Sequence, residues 1–332
     1  MPLPLSVLDL SPVGVGVAPS QAIRDSVELA KVADRLGYTR YWVAEHHNMA
    51  SIATSAPPVL IAHIAATTER IRVGAGGMMV PNHSPLGLVE TFRTLEALHP
   101  GRIDLGLGRA PGTDRVTAAA LQRSDRDVNS QLAELLAFEQ GGFPAGHPFG
   151  SILPMPSDVT LPSIWMLGST LAGASIAAQL GVRYAFAGHF AMREAKAAIA
   201  HYREHFEPSP TLDRPYAMLA VTTVCGTDDA EAQRLAAPLR VAIVNSRTGK
   251  RQPICSIEDA LARTFTPDEQ AISDEFFHGA VIGGPDRVAA GLADLAGAVG
   301  ADELMLSSLV PDAASRRSSL ERIAKACKLD AG

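Results

Sequence analysis

The sequence predicts an α/β protein folded as a closed barrel of eight strand–helix units. Along its 332 residues, short apolar segments alternate with amphipathic helical segments, and eight such pairs follow one another. Strands joined by helical crossovers pair in parallel, and a parallel sheet is covered on both faces. Eight units close a (β/α)8 TIM barrel, and no linker-like stretch divides residues 1–332 into two domains. A doubly wound open sheet is the competing architecture.

The predicted strands are short runs of apolar, β-branched or aromatic residues that end at Gly, Pro or polar residues. The first is closed by Ser11-Pro12, and the second is the aromatic run after Gly37. Because buried parallel strands are apolar on both faces, continuous apolar runs suit them better than alternation does. The predicted strands are 5–10, 41–44, 71–75, 103–107, 164–167, 184–187, 217–225 and 303–307.

The predicted helices begin and end at residues with a physical preference for helix termini. Ser84 followed by Pro85 supplies a cap and a first-turn proline, and Gly37 and Gly181 end the helices that precede them. Gly283-Gly284-Pro285 marks the beginning of another helix. The predicted helices are 20–36, 57–66, 84–98, 125–140, 172–180, 193–206, 285–299 and 311–326.

One long segment interrupts this alternation. Residues 228–284 lie between the seventh strand and its helix, have an irregular composition and contain a polar, basic patch at 245–252. Long connections in compact domains are usually functional. We therefore expect an insertion at 228–284 that acts as a lid.

Composition narrows the possible classes of protein. Apolar residues make up 47% of the chain and charged residues 19%, which is enough to bury a sizeable core. With 29 basic and 35 acidic side chains the net charge is −6, which argues against binding to nucleic acid or anionic membranes. Cys225, Cys255 and Cys327 do not suggest a disulfide framework and favour a reducing compartment. Without a signal-like N-terminus or an apolar span of about 18 residues, we expect a cytoplasmic protein.

Polar residues and glycines follow most of the predicted strands, where a barrel places its active site. Histidine and arginine at these ends suggest acid–base chemistry and anion binding, although a single histidine is usually structural. The pairs and runs in question are Glu45-His46-His47-Asn48, Gly76-Gly77, Gly108-Arg109, Gly168-Ser169, Gly188-His189 and Ser307-Ser308.

A metal site is not expected. His46 and His47 are adjacent on an extended segment, so their side chains point to opposite faces. His201 and His205 have helical spacing, but Tyr202 occupies the position at which a zinc protease has Glu. His201 and His205 therefore suit a solvated helix face better than a metal centre.

The glycine-rich segments permit close approach of a flat ligand to the backbone. Neither 74–79 nor 106–111 has the third glycine and the following helix of a dinucleotide fingerprint, so tight packing in the barrel wall is an equal alternative. Ser169 and Thr170 precede a predicted helix, where free N–H groups and a hydroxyl can hold a phosphate that Arg109 would complement. An ordinary helix cap at Ser169 or Thr170 explains the same residues.

Together these segments resemble the bacterial luciferase-like (LLM-class) flavin-dependent monooxygenases. The similarity extends over most of the chain, is fairly specific in two segments, and is strongest to FMN-using single-chain members. It rests on YWVAEHHN at 41–48, IRVGAGGMMVP at 71–81, the helix at 85–98, PGRIDLGLGRAPGTD at 100–114 and, more weakly, MLGST at 166–170 and the helix at 283–300.

The resemblance implies roles for individual residues. His46 matches the family's active-site histidine beside the isoalloxazine, and Gly76-Gly77 matches its non-proline cis peptide under the flavin ring. Arg109 and Ser169 match phosphate contacts, and Glu90 matches an acidic residue near the flavin. Two departures affect the phosphate end: Gly168 and Ala172 stand where the luciferase has an acidic residue and a threonine.

The resemblance also implies the chemistry. Reduced FMN and O2 would oxidise a small organic substrate such as an aldehyde or ketone, with reduced flavin supplied by a separate NAD(P)H:flavin reductase. The family further implies a homodimer. Two alternatives are a deazaflavin-dependent hydride transfer on the same barrel and a non-catalytic flavin-binding protein, against which the retained His46 counts.

Overall fold

The computed structural model describes residues 3–110, 112–124 and 126–330. Seven of the eight predicted strands agree with the observed bounds to within one residue, and the exception is the third. The strands formed by the described residues are β1 (Leu5–Asp9), β2 (Arg40–Val43), β3 (Arg72–Met79), β4 (Ile103–Gly108), β5 (Ser163–Gly168), β6 (Arg183–Phe186), β7 (Ala217–Cys225), β8 (Val281–Gly283) and β9 (Glu303–Ser307).

Eight of these strands form a closed parallel barrel in the order β1, β2, β3, β4, β5, β6, β7, β9. Closure is completed by β9, which pairs with β7 on one side and with β1 on the other, where Leu304 lies opposite Leu5. The predicted (β/α)8 barrel is therefore confirmed, and the open sheet is excluded. The short strand β8 lies outside the barrel and extends only from the end of β7, with Val281 opposite Thr223.

Helices cover the outside of the barrel, and several begin at the residues that the sequence indicates. The Ser84 side chain accepts a hydrogen bond from the Gly87 N–H at 3.1 Å, with Pro85 in the first turn. The helices formed by the described residues are α1 (Pro19–Arg35), α2 (Pro57–Ala66), α3 (Pro85–Leu98), α4 (Arg115–Ala120), α5 (Val128–Gln140), α6 (Leu171–Gln179), α7 (Gly188–Ala191), α8 (Ala195–Glu204), α9 (Asp229–Arg247), α10 (Ile257–Ala262), α11 (Pro267–Phe276), α12 (Pro285–Val299) and α13 (Ala313–Ala326).

The apolar core has two layers separated by the barrel wall. The larger layer lies between the strands and the surrounding helices. The smaller layer fills the barrel interior and includes Leu8, Met218 and Met305 around two tryptophans. The rings of Trp42 and Trp165 meet edge to face with centroids 5.2 Å apart, so the middle of the barrel is solid.

The end of the barrel where the strands begin is closed by a buried ionic network. The Arg40 guanidinium donates to Asp104 Oδ2 at 2.8 Å and to Glu303 Oε1 at 2.7 Å, and both carboxylates are fully buried. Arg72 also donates to Asp104, at 2.7 Å. Burial alone would raise the pKa of Asp104, but Arg40 and Arg72 hold it below its ordinary value. The charged side chains at the beginnings of these strands thus form ion pairs with one another inside the protein.

The segment at 228–284 is more regular than its composition suggests. Most of it forms α9, α10 and α11, followed by β8, rather than irregular chain. The sequence conceals α9 because Pro238 lies inside the helix and the polar, basic patch at 245–252 begins in its last turn. α9 also follows β7 directly, so the segment contains its own helices after the seventh barrel strand.

Three other predictions needed correction. Strand β3 continues to Met79 and passes through Gly76-Gly77, with a shift of register against β4 between Ala75 and Met78. The helix predicted at 125–140 is α5, which begins at Val128 with Asp127 as its cap, and its predicted first residue, Asp125, lies outside the described residues. The helix predicted at 193–206 is preceded by the short α7, which begins directly after β6.

Among the described residues, we find no helix with the length and apolar character that crossing a membrane requires.

Replacing Arg40 tests the importance of the ionic network. We expect Arg40→Met to lower the free energy of unfolding by about 3–5 kcal/mol, because Glu303 would stay buried after losing its paired cation and Asp104 would keep only Arg72. The measurement is urea unfolding followed by circular dichroism. The control is Arg193→Met, whose pair with Glu275 is exposed and should contribute little to stability. Equal losses in the two variants would contradict this assignment.

Candidate active site

A cavity of about 290 Å³ opens at the end of the barrel where the strands finish. It lies above the two tryptophans and is bounded mainly by apolar side chains and glycine backbone. Five predicted site positions line it: His46, Arg109 and Ser169 follow β2, β4 and β5, Gly168 ends β5, and Gly76 lies within β3. The structure therefore brings these predicted residues together in one cavity, at the end of the barrel that the sequence indicates.

His46 is held at the edge of this cavity by its backbone. It follows β2, and its N–H donates to the carbonyl of Thr54 at 3.0 Å. The Nδ1 atom of its ring is buried and has no hydrogen-bond partner within the described part of the chain. Burial lowers the pKa of His46 to about 4, although Glu45 opposes this shift. The imidazole is thus neutral at pH 7, with one buried nitrogen turned to no protein partner.

A second imidazole, that of His189, lines the same cavity. His189 lies in α7, directly after β6, and burial together with the neighbouring His46 lowers its pKa to about 4. Its Nδ1 also lacks a hydrogen-bond partner among the residues described. The sequence placed His189 at a strand end without giving it a role. Only the tertiary structure pairs it with His46.

Glu45 organises the rim beside His46 rather than the cavity itself. Its buried carboxylate accepts hydrogen bonds from His47 Nε2 at 3.0 Å and His83 Nε2 at 2.8 Å, and also from Asn82 and the Met79 N–H. Burial alone would raise the pKa of Glu45, but these donors, led by His83 and Asn82, lower it to about 2. Glu45 therefore connects the chain after β2 to the end of β3 and so holds the adjacent His46 in position.

The part of the cavity wall at the ends of β4 and β5 is suited to an anion. Arg109 follows β4, and its Nη2 would lie 3.4 Å from a Cβ added to Gly173, so the guanidinium is beside the first turn of α6. Thr170 caps that helix, and Ser169 precedes it. The buried Nε of Arg109 has no hydrogen-bond partner in the described ranges. A helix N-terminus, a hydroxyl and a fixed cation together form a site for a phosphate.

Glycines allow the backbone to form the cavity wall. The peptide bond between Gly76 and Gly77 is cis, as the resemblance implies. A Cβ on Gly76 would lie 2.8 Å from Leu8 Cδ1, and a Cβ on Gly108 would lie 2.5 Å from Met79 Cε. Gly77 is not among the described residues that line the cavity, and its Cβ would meet the Gly106 carbonyl at 2.9 Å. Side chains at these positions would take up space that the cavity or its wall now uses.

Glu90 is not brought to the cavity. It lies on α3, in the outer layer, and its Oε1 accepts a hydrogen bond from the Met155 N–H at 3.2 Å. The cavity lining as described does not include it. The structure thus gives Glu90 a contact with the loop at 141–162, and nothing in the cavity contacts its carboxylate.

The charges of the cavity suit a planar molecule that carries one anionic group. Arg109 is the one ionised side chain among the described lining residues, because His46 and His189 are neutral at pH 7. The rest of the wall is largely apolar, with Trp42, Leu167 and Phe186 as large members. An isoalloxazine ring with a phosphate at the end of its side chain fits this distribution. No cluster of three metal-ligating side chains occurs in the part of the chain that the structure describes.

A TIM barrel with polar residues and glycines gathered at the carboxyl ends of its strands has the arrangement of a barrel enzyme. The sequence profile of the luciferase-like monooxygenases matches residues 3–303. A luciferase-like monooxygenase of Escherichia coli (strain K12) is 38% identical over 320 residues, which cover 95% of this chain and 94% of the relative. The crystal structure of apo-MsnO8 has a TM-score of 0.89 and 38% identity, with 99% of this chain and 98% of that chain covered. The chain belongs to the luciferase-like monooxygenase family.

More distant structures share the fold alone. The oxygenating constituent of 3,6-diketocamphane monooxygenase from Pseudomonas putida, in complex with FMN, has a TM-score of 0.71 and 18% identity. The match covers 98% of this chain and 97% of that chain. An F420-dependent secondary alcohol dehydrogenase, in complex with an F420-acetone adduct, has a TM-score of 0.68 and 13% identity, covering 97% of this chain and 99% of that one. The barrel is therefore common to proteins with either coenzyme.

The two buried imidazoles predict how stability depends on pH. An unfolded chain has histidine pKa values of about 6.5. Because those of His46 and His189 are about 4, the unfolded state binds more protons between these values. Their contribution is complete above pH 6.5 and is lost as the pH falls towards 4. Between pH 7 and pH 5, the free energy of unfolding of the wild type should therefore fall. In the His46→Gln/His189→Gln double variant, we expect this fall to be smaller by at least about 1 kcal/mol.

The measurement is urea unfolding at pH 7, 6 and 5. This range lies above the ordinary pKa of Glu45, 4.5, so its own titration does not contribute. The control is His205→Gln, because His205 is exposed at the C-terminal end of α8. This variant should leave the pH dependence of stability unchanged. Parallel pH profiles for the wild type and the double variant would show that the imidazoles are not neutralised by burial.

Proposed function

We propose that the protein is an FMN-dependent monooxygenase that uses reduced FMN and O2 to oxidise a small organic substrate. The observation that carries this proposal is the placement of Arg109 beside the first turn of α6, in the same cavity as the neutral His46. Arg109, Ser169 and the α6 N-terminus would hold the phosphate. The glycine backbone around Gly76 and the apolar wall would hold the ring.

The resident residues would supply binding, exclusion of water and control of one proton. Bound reduced FMN supplies the electrons with which one oxygen atom of O2 enters the substrate and the other leaves as water. Trp42, Leu167 and Phe186 keep water from the cavity. His46 can accept a proton at its buried Nδ1 or donate from a protonated nitrogen, and its low pKa keeps it a base at pH 7.

The wider setting of this activity is also a proposal. A separate NAD(P)H:flavin reductase would deliver the reduced flavin, and the enzyme would act as a homodimer in the cytoplasm. Residues 228–284 would serve as the lid, because α9 and α11 contribute Ala242, Ile243 and Phe276 to the space beside His46.

A second candidate is hydride transfer by a deazaflavin coenzyme. It is supported by the barrel shared with the F420-dependent alcohol dehydrogenase. The phosphate site beside Arg109 does not separate the two coenzymes, since both carry phosphate. Titration of the protein with FMN and with the deazaflavin, followed by fluorescence quenching, would separate the two candidates.

Arg109 provides the sharper test of the cofactor. Arg109→Met should weaken FMN binding by about 10-fold to 100-fold, because it removes a charged donor to the phosphate. Binding of riboflavin, which has no phosphate, should change less than twofold. The measurement is fluorescence quenching of each flavin, and Arg115→Met on the exposed start of α4 is the control. If Arg109→Met weakened both flavins equally, the phosphate assignment would be wrong.

His46 provides the test of chemistry. His46→Ala should retain FMN binding and lose about 100-fold or more in turnover, because the cavity loses the group that moves a proton. The measurement is oxygen uptake with a flavin reductase, NADH, FMN and a panel of aldehydes and ketones, with His205→Ala as the matched control. Unchanged substrate oxidation in His46→Ala would remove the proposed role.

A further inference from the structure

His46 lies where three spaces meet. One is the mouth cavity already described. The second, which we call the inner chamber, has a volume of about 100 Å³ and shares Leu10, His46, His189 and Phe190 with the mouth cavity. The third, which we call the vestibule, has about 410 Å³ and shares His46 and Met49 with the inner chamber. The inner chamber thus adjoins both the mouth cavity and the vestibule.

The inner chamber is built between the barrel and the helices of residues 228–284. Its barrel side includes Leu10 and Thr222, and its far side is formed by α9 and α11. Apolar side chains make up most of its surface, among them Leu10, Phe190, Ala242, Ile243 and Phe276.

The polar groups of the inner chamber are all neutral at pH 7. They are the imidazoles of His46 and His189 and four hydroxyl groups, and none of the described lining residues is Asp, Glu, Lys or Arg. An ion that entered would lose its hydration without gaining an opposite charge, which costs several kcal/mol. Neutral hydrogen-bonding groups can instead satisfy a carbonyl or an ether-like heteroatom.

On the side away from the mouth cavity, ionised groups begin in the vestibule. Its lining includes Lys250 and Arg251, which come from the basic patch at 245–252, and Asp114 from the opposite side. Arg251 Nη2 lies 3.2 Å from Asp114 Oδ2. Asp114 also accepts a hydrogen bond from Asn48 Nδ2 at 2.9 Å. Arg251 and Asp114 are thus paired with each other in the vestibule, outside the inner chamber.

We propose that the inner chamber binds the part of the substrate that is oxidised, and that this part is an uncharged, mainly apolar organic group with a single neutral heteroatom. The proposal rests on the proposed function. It makes Ala242 and Ile243 of α9 and Phe276 of α11 the residues that determine specificity. His46 and His189, which line both spaces, would receive the heteroatom at the boundary with the mouth cavity.

A matched pair of probes tests the charge preference. Cyclohexyl methyl ketone and cyclohexanecarboxylate have nearly the same shape and differ in charge. We expect the FMN-loaded protein to bind the ketone at least tenfold more tightly at pH 7 in isothermal titration calorimetry. Equal affinity, tighter binding of the carboxylate, or no measurable binding of either probe would overturn the proposal.

A variant pair tests the location. Ala242→Phe should fill the junction of the inner chamber and the vestibule, weaken ketone binding at least tenfold and leave FMN affinity within twofold, because Ala242 does not line the mouth cavity. Ala230→Phe, on the exposed first turn of the same helix, is the control. Unchanged ketone binding in Ala242→Phe would place the ketone elsewhere.

The two proposals can fail separately. Loss of FMN binding in the wild type would remove the proposed function, whereas normal FMN binding with no preference for the ketone would remove only the inference about the inner chamber. If Ala242→Phe does not fold, Ser246→Arg tests the location by adding a positive charge. Ser246 lines both the inner chamber and the vestibule, so the charge would stand where the two spaces meet. It should raise carboxylate affinity at least threefold, and an unchanged affinity would count against the proposed location.

Discussion

The buried ionic network around Arg40 determines which end of the barrel can hold a ligand. Arg40, Asp104 and Glu303 fill the end at which the strands begin, and Trp42 and Trp165 pack directly above them. Both carboxylates pair with the Arg40 guanidinium, and Asp104 also pairs with Arg72, so this end is filled by groups that cannot separate without leaving a buried charge. Open volume therefore remains only towards the other end, where the strands finish and the loops supply polar side chains.

At that open end, burial rather than ion pairing determines the pKa values of His46 and His189. Glu45, next to His46, uses its carboxylate on His47, His83, Asn82 and the Met79 N–H, and so orders the rim without charging the imidazole in the cavity. Burial lowers the pKa of His46 to about 4, and His189 shifts in the same direction. The mouth cavity consequently has one fixed charge, on Arg109, and its remaining polar groups are neutral at pH 7.

The barrel was predictable from the sequence because buried parallel strands are apolar on both faces and end at recognisable turn residues. The same rule located His46 and Arg109, since a residue that follows a barrel strand lies at one rim. It could not reveal that β3 continues through Gly76-Gly77, because glycine has no side chain to indicate a strand. Nor could it show α9, where Pro238 resembles a helix breaker, or exclude Glu90, whose helix faces a loop.

The helices of residues 228–284 have a small apolar core of their own, which includes Leu235, Leu239 and Phe277 and reaches the barrel at Val224 near the end of β7. The pairings that close the barrel are made by β1 and β9 and by β6 and β7, so α9 and α11 contribute no strand contact to closure. Residues on these helices can therefore change the shape of the inner chamber while the strand ends that carry His46 and Arg109 keep their positions. Under the proposed function, this separation assigns the cofactor to the barrel rim and the choice of substrate to the inserted helices.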